Sequence, residues 1–173
     1  MAAGLTTDRI REMADCNNPV IRLMPNTPAS IGKGMIQYCL LDVTREQEDT
    51  FLDVMDLCGR LDQLAEDLID AASAVSGCGP AYACMFMEAL ADGGVACGLP
   101  RAKAMEYAAQ MLLGSAEIAL QSGQHPGELK DAVCSPKGST IQGVRALEAN
   151  GFRSAVLEAV VAAFEKNREM GKR

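Results

Sequence analysis

The stretch VCSPKGSTIQGVRALEANG, residues 133–151, joins a proline and several small polar residues to an amphipathic pattern. Ser135, Ser139 and Thr140 surround Lys137 and Gly138, and Ile141, Val144 and Leu147 then recur at helical spacing. A helix beginning here offers unsatisfied N–H groups and the positive end of its dipole, and the hydroxyls add donors. That combination holds a carboxylate or phosphate without a cationic side chain. Ser and Thr at such a place are also ordinary helix caps. On residue types alone, both readings stand.

The rest of the chain carries little obvious catalytic equipment. The single histidine, His125, lies between Gln124 and Pro126 and reads as a loop or capping residue. Glu88 and Asp92, one turn apart, read as a polar stripe on a packed helix rather than as an acid–base pair. Seven cysteines (16, 39, 58, 78, 84, 97 and 134) are irregularly spaced without any C-x-x-C, and with one histidine no metal site is expected. Most read as small buried thiols in a reducing, cytoplasmic setting. The chain contains neither G-x-G-x-x-G nor a P-loop, and SGCGP at 76–80 lacks the strand that a dinucleotide turn requires.

A net charge of −7 without a basic cluster speaks against nucleic-acid binding. The uncharged run 71–87 is broken by Gly77, Gly79 and Pro80, so no membrane span is expected. Asp8, Arg9, Arg11 and Glu12 come too early for a secretory signal. With aromatics at 4% and no Trp, the core must be built from Ala, Leu, Val and Met, which suits closely packed helices.

Two styles of sequence position these residues, and they meet near residue 66. Before it, a short helix capped by Thr7 runs to Ala14. A strand follows at 19–24, a second over GMIQYCLL, a helix from Arg45 to Leu57 capped by Thr44, and a short strand over 61–64. Residues 1–4 read as the frayed end of another strand. After it, all is helix. One helix starts at Pro80 and runs to Cys97, apolar nearly all round and therefore expected to be buried. Gly93 and Gly94 within it imply close approach of a neighbouring helix. Further helices are expected over 101–121, 126–133, up to 149, and 152–169. They carry more apolar surface than one such bundle can bury, so a helical dimer is expected.

Three stretches resemble the pyrroline-5-carboxylate reductase family. VIRLMPNTPASIGKGM (20–35) is similar to its V-I-R-x-M-P-N-T-P-A segment. Residues 70–101, with SGCGPAY, resemble its S-G-S-G-P-A-Y region. Residues 125–156, HPGELKDAVCSPKGSTIQGVRALEANGFRSAV, resemble its C-terminal signature. The resemblance implies reduction of 1-pyrroline-5-carboxylate to L-proline with NADPH or NADH. It implies an α/β remnant plus an all-α part: residues 1–65 as the C-terminal remnant, or edge, of a Rossmann domain, and residues 66–173 as a helical dimerisation and substrate domain. By position, Ser135, Gly138, Ser139 and Thr140 would hold the substrate carboxylate, with the Thr140 hydroxyl also near the ring nitrogen as the catalytic contact. Met24, Pro25 and Asn26 would lie by the nicotinamide, and Ser76, Gly77, Cys78 and Gly79 would line the same cleft. A homodimer or higher homo-oligomer is implied.

The chain departs from the family pattern in three places. The glycine-rich pyrophosphate loop and the first Rossmann strands do not occur in it, so a truncated chain is expected, with very weak cofactor binding and no robust turnover by itself. Lys137 stands where the family's S-P-G-G-T-T has glycine, and would either crowd the loop or add charge for the carboxylate. Cys78 replaces a serine and is a weaker donor. The alternative reading is a non-catalytic helical dimerisation module.

Overall fold

In the computed structural model, residues 4–171 are described. The part of the 1–4 strand expectation that falls on residues 1–3 lies outside them. The elements run α1 (Thr7–Met13), β1 (Val20–Met24), β2 (Gly34–Leu41), α2 (Arg45–Met55), β3 (Gly59–Gln63), α3 (Ile69–Ala72), α4 (Gly79–Ala96), α5 (Arg101–Ser122), α6 (Pro126–Ala132), α7 (Ser139–Ala149) and α8 (Phe152–Met170). A small α/β edge followed by helices is the expected class. The chain divides into two compact units: Met1–Ala81 with Leu157–Arg173, and Tyr82–Val156.

In the first unit, β2 is central, antiparallel to β1 and parallel to β3. The antiparallel pair is joined by a 3-10 turn, Thr27–Ile31, with Pro28 in its first turn and Gly32 in the left-handed region at φ 70°. The parallel pair needs a crossover, and α2 supplies it. Thr44 and Gln47 start α2 with a reciprocal capping box: the Thr44 hydroxyl accepts from the Gln47 amide and the Gln47 side chain from that of Thr44. Gly34 and Gly59 face each other across β2–β3 so closely that a Cβ on Gly59 would collide with the Gly34 backbone.

The strands bury Ile36, Met24, Tyr38 and Cys39, and Ile69 of α3 closes over Met24 and Cys39. Burial and a 2.9 Å hydrogen bond to Glu48 push the Tyr38 hydroxyl pKa upward.

A buried cation organises the polar side of this unit. Arg22 is 6% exposed and reaches Glu66 at 3.3 Å and Asp70 at 3.2 Å. Glu66 also accepts from the Thr7 amide at 2.6 Å and its hydroxyl at 3.0 Å. This corrects the expected cap. Thr6 caps α1, accepting from the Arg9 amide, because Thr7 is drawn inward to Glu66. The end of α8 docks here too: buried Asn167 donates to the Asp70 carbonyl at 3.2 Å, and a Cβ on Gly4 would stand 2.6 Å from the Gly171 nitrogen.

In the second unit, Gly94 of α4 lies against Ala104 of α5, where an added Cβ would meet the Ala104 methyl at 3.1 Å. The expected close approach holds for Gly94. Gly93 has nothing within 4 Å of an added Cβ. Gly98, at φ 98°, ends the turn after α4, and Pro100 opens α5. Phe86 and Phe152 stack with centroids 5.5 Å apart.

The expectation that α4 is buried is overturned for this chain by itself: of its residues only Ala91 is buried, and Met85 is 69% exposed. Its apolar circumference exceeds what its own chain covers. The expectation of buried thiols is met only at Cys39, with Cys84 and Cys97 exposed. Among the described residues, no helix is long and apolar enough to cross a membrane.

Candidate functional site

The residues expected to do chemistry fall into two groups, one in each compact unit, and each is described by itself. The first forms where β1 ends. Met24 points into the core at 5% exposure, beside Cys39 and Ile69, so its side chain makes a packing contact. Pro25 breaks the strand, and Asn26 opens the 3-10 turn without capping it. Both ends of the Asn26 amide are instead used across the fold. Oδ1 accepts from the Met35 amide at 3.1 Å, and Nδ2 donates to the Ser76 carbonyl at 3.0 Å.

Ser76 sits in a π-helical turn, Ser73–Gly77, that widens the chain just before α4. The Cys78 amide closes that turn on the Ser73 carbonyl at 2.9 Å. The Ser76 hydroxyl lies 3.0 Å from Gln37 Oε1 and 3.0 Å from the Ala72 carbonyl. A Cβ at Gly77 would come within 2.9 Å of the Ser73 hydroxyl, which would have to turn aside. At Gly79 an added Cβ would meet nothing within 4 Å, so backbone is open to close approach by a flat group. Asn26 and Ser76–Gly79 are thus brought together.

Gln37 belongs to this group and was missed by sequence reasoning. Its signal was a lone amide inside the apolar run GMIQYCLL.

The second group is the turn before α7. The Gly138 amide donates to the Ser135 carbonyl at 3.0 Å, closing a turn whose third residue, Lys137, is left-handed at φ 63°. Gly138 is the N-cap of α7 and provides no side-chain cap. A Cβ at Gly138 would collide with the Ser135 hydroxyl and stand 3.1 Å from the Ser135 carbonyl oxygen, so a side chain there would force that hydroxyl to turn away. Ser139 and Thr140 occupy the first turn of α7, both exposed.

The four predicted residues are therefore gathered at a helix N-terminus whose N-cap closes none of its amides with a side chain. Chemically, such a terminus accepts an anion. Lys137 is exposed and has no carboxylate partner among the described residues, whereas Lys130 pairs with Asp131 at 2.7 Å.

His125 behaves as read: its Nδ1 accepts from the Gly127 amide at 3.0 Å and caps α6. Asp92 pairs with Arg101 at 2.5 Å, and Glu88 is exposed. Among the described residues, no cluster of three or more His, Cys, Asp or Glu is placed to hold a metal ion.

Residues 66–170 match the family model described as pyrroline-5-carboxylate reductase dimerisation. The chain is 44% identical over 173 residues to the pyrroline-5-carboxylate reductase of Escherichia coli K12, covering 99% of this chain and 64% of that protein. It is 43% identical over 171 residues to the soybean (Glycine max) protein of that name, covering 98% of this chain and 62% of the other. The chain thus spans somewhat less than two thirds of these relatives. Among solved structures, a Plasmodium falciparum pyrroline carboxylate reductase with NADP bound superposes at a TM-score of 0.92 with 38% identity, covering 98% of this chain and 68% of that one. A 1-pyrroline-5-carboxylate reductase from Streptococcus pyogenes superposes at 0.91 with 35% identity, covering 98% and 66%.

Proposed function

Because the chain belongs to the pyrroline-5-carboxylate reductase family, we propose that it serves the reduction of 1-pyrroline-5-carboxylate to L-proline, the final step of proline synthesis. Bound NADPH or NADH supplies the hydride in that chemistry. Every other task falls to this chain's residues.

The α7 N-terminus, with Ser135, Gly138 and Ser139, receives the substrate carboxylate, and Thr140 turns its hydroxyl toward the ring nitrogen. A cyclic imine protonates readily, so orientation and an anion site matter more than a strong acid. The backbone at Pro25 and the turn Ser76–Gly79, with Cys78, form the flat surface for the nicotinamide ring, and Met24 and Asn26 stand behind it. The residues present fit that end of the cofactor, since Gly79 leaves its backbone open. They do not include the glycine-rich loop that would hold the pyrophosphate.

The observation that carries the reading is the polar turn Ser135–Thr140, which opens α7 with no cap from its own N-cap residue and lies inside the matched family stretch. The helices of the second unit pair with a second copy, giving a homodimer or a higher homo-oligomer. The protein works in the cytoplasm, where its seven thiols, all unpaired, stay reduced.

The test is pyrroline-5-carboxylate-dependent NADPH oxidation by the protein as its gene encodes it. Turnover should fall about 10- to 100-fold in Thr140→Val, the order expected for losing a positioned contact in the reaction. Wild-type turnover that is unaffected by Thr140→Val and Ser135→Ala would refute this assignment of the turn.

A further inference from the structure

The side chains nearest the proposed nicotinamide surface have their polar atoms occupied within the chain, and the reason is written in the proline of SGCGP. In a helix, the Ser76 carbonyl would accept from the amide four residues on, which belongs to Pro80 and carries no hydrogen. A carbonyl half-withdrawn from water and left without a donor is costly, and here the donor is Asn26 Nδ2, at 3.0 Å and fifty positions away. The other end of that amide is fixed by the Met35 N–H at 3.1 Å, so Asn26 cannot turn without breaking two bonds.

Gln37 meets the same serine from a second side. It is 3% exposed on the central strand, where an amide is tolerated only when hydrogen-bonded. The Ser76 hydroxyl has one proton and two oxygen neighbours at 3.0 Å. The proton serves one of them. If it serves Ala72, the Gln37 amide presents its N–H to the hydroxyl oxygen instead. In either arrangement the hydroxyl is engaged. The π-turn itself is a form that concentrates at functional sites.

We infer that Asn26 and Gln37 are positioning residues that clamp Ser76 through its carbonyl and its hydroxyl, and so hold the Ser76–Gly79 turn in the shape on which the nicotinamide ring rests. Neither side chain is the contact with the ring. The inference rests on the reductase reading and deepens it: the MPN and SGCGP stretches are one device, joined because Pro80 removes the donor that Asn26 replaces.

The experiment is steady-state kinetics with pyrroline-5-carboxylate and NADPH, per folded protein, on the protein as its gene encodes it. Asn26→Asp keeps the acceptor for Met35 and sets an oxygen against the Ser76 carbonyl. It should lower kcat about 10- to 100-fold with KM for pyrroline-5-carboxylate changed less than about threefold. Gln37→Leu should lower kcat about tenfold, and the double variant should lose less than the product of the two, because both act through Ser76. Asn26→Ala combined with Pro80→Ala should recover part of the kcat lost by Asn26→Ala, since the new amide can serve the orphaned carbonyl.

A role confined to stability would move the melting temperature and leave kcat per folded site unchanged. That result, independent multiplicative losses, or the absence of rescue by Pro80→Ala overturns the clamp while leaving the reductase reading intact. A wild-type protein that neither turns over nor binds NADPH overturns the reductase reading, and the clamp falls with it.

Discussion

The unit built from Met1–Ala81 and Leu157–Arg173 buries large side chains of its own, whereas in Tyr82–Val156 the only buried apolar residues are alanines: Ala91, Ala104 and Ala108. The first unit closes Ile36, Ile69, Met24 and Tyr38 from solvent and pairs its buried Arg22 with two carboxylates. The second leaves Leu113 at 58% exposure, Ile118 at 56% and Leu120 at 76% on a single helix, α5. Three methyl groups contribute little at about 25 cal/mol per Å² of buried apolar area. One region therefore carries its shape within the chain, and the other requires a covering surface, which in the proposed dimer is a second copy.

The largest expected effect breaks the second region. Leu113→Glu with Leu120→Glu places two carboxylates on the faces of α5 assigned to the partner. Light scattering after size exclusion should show a monomer, with a stability loss of about 3–5 kcal/mol, the scale for burying unpaired charge. A dimer of unchanged stability would move the interface elsewhere.

Next in size is the break in the first region. Arg22→Met leaves Glu66 and Asp70 facing each other without their cation. Because both carboxylates are partly exposed, at 31% and 25%, the cost should be about 2–3 kcal/mol, below the range for a fully buried pair, and readable by urea unfolding. The oligomer should persist, since the second unit is untouched.

The smallest effect sharpens the comparison at the site. Lys137 holds a left-handed backbone at φ 63° that suits glycine. Lys137→Gly should stabilise the protein by about 0.5–1 kcal/mol by relieving that strain. A destabilised variant would show that the lysine side chain supports the turn.

The elements of the first unit were legible because local signals and tertiary packing agree there. Thr44 marks the start of a helix, and the apolar, β-rich run GMIQYCLL reads as a strand, as both prove to be. The polar turn at 135–140 was legible for the same reason: helix-terminal physics is local, and it left open only whether the hydroxyls cap the helix or face a ligand. What was hidden depends on distant partners. Thr7 looked like a cap until Glu66, 59 positions away, claimed it. Met24, a site residue by resemblance, also carries a core contact with Cys39 and Ile69 that its sequence neighbours do not announce. The all-round apolar pattern of α4 was read as burial within the chain, and periodicity does not say which chain supplies the cover. Gln37 was passed over because its partner, Ser76, is set by a π-turn that no residue type announces.

The central claim is that the N-terminus of α7 holds the substrate carboxylate. Amide chemical shifts of Ser139, Thr140 and Ile141, followed while L-proline is titrated, test it directly. These amides should move in a saturable way with L-proline and should not move with L-prolinamide, which lacks the carboxylate. Equal shifts with both, or shifts confined to other parts of the chain, would contradict the claim.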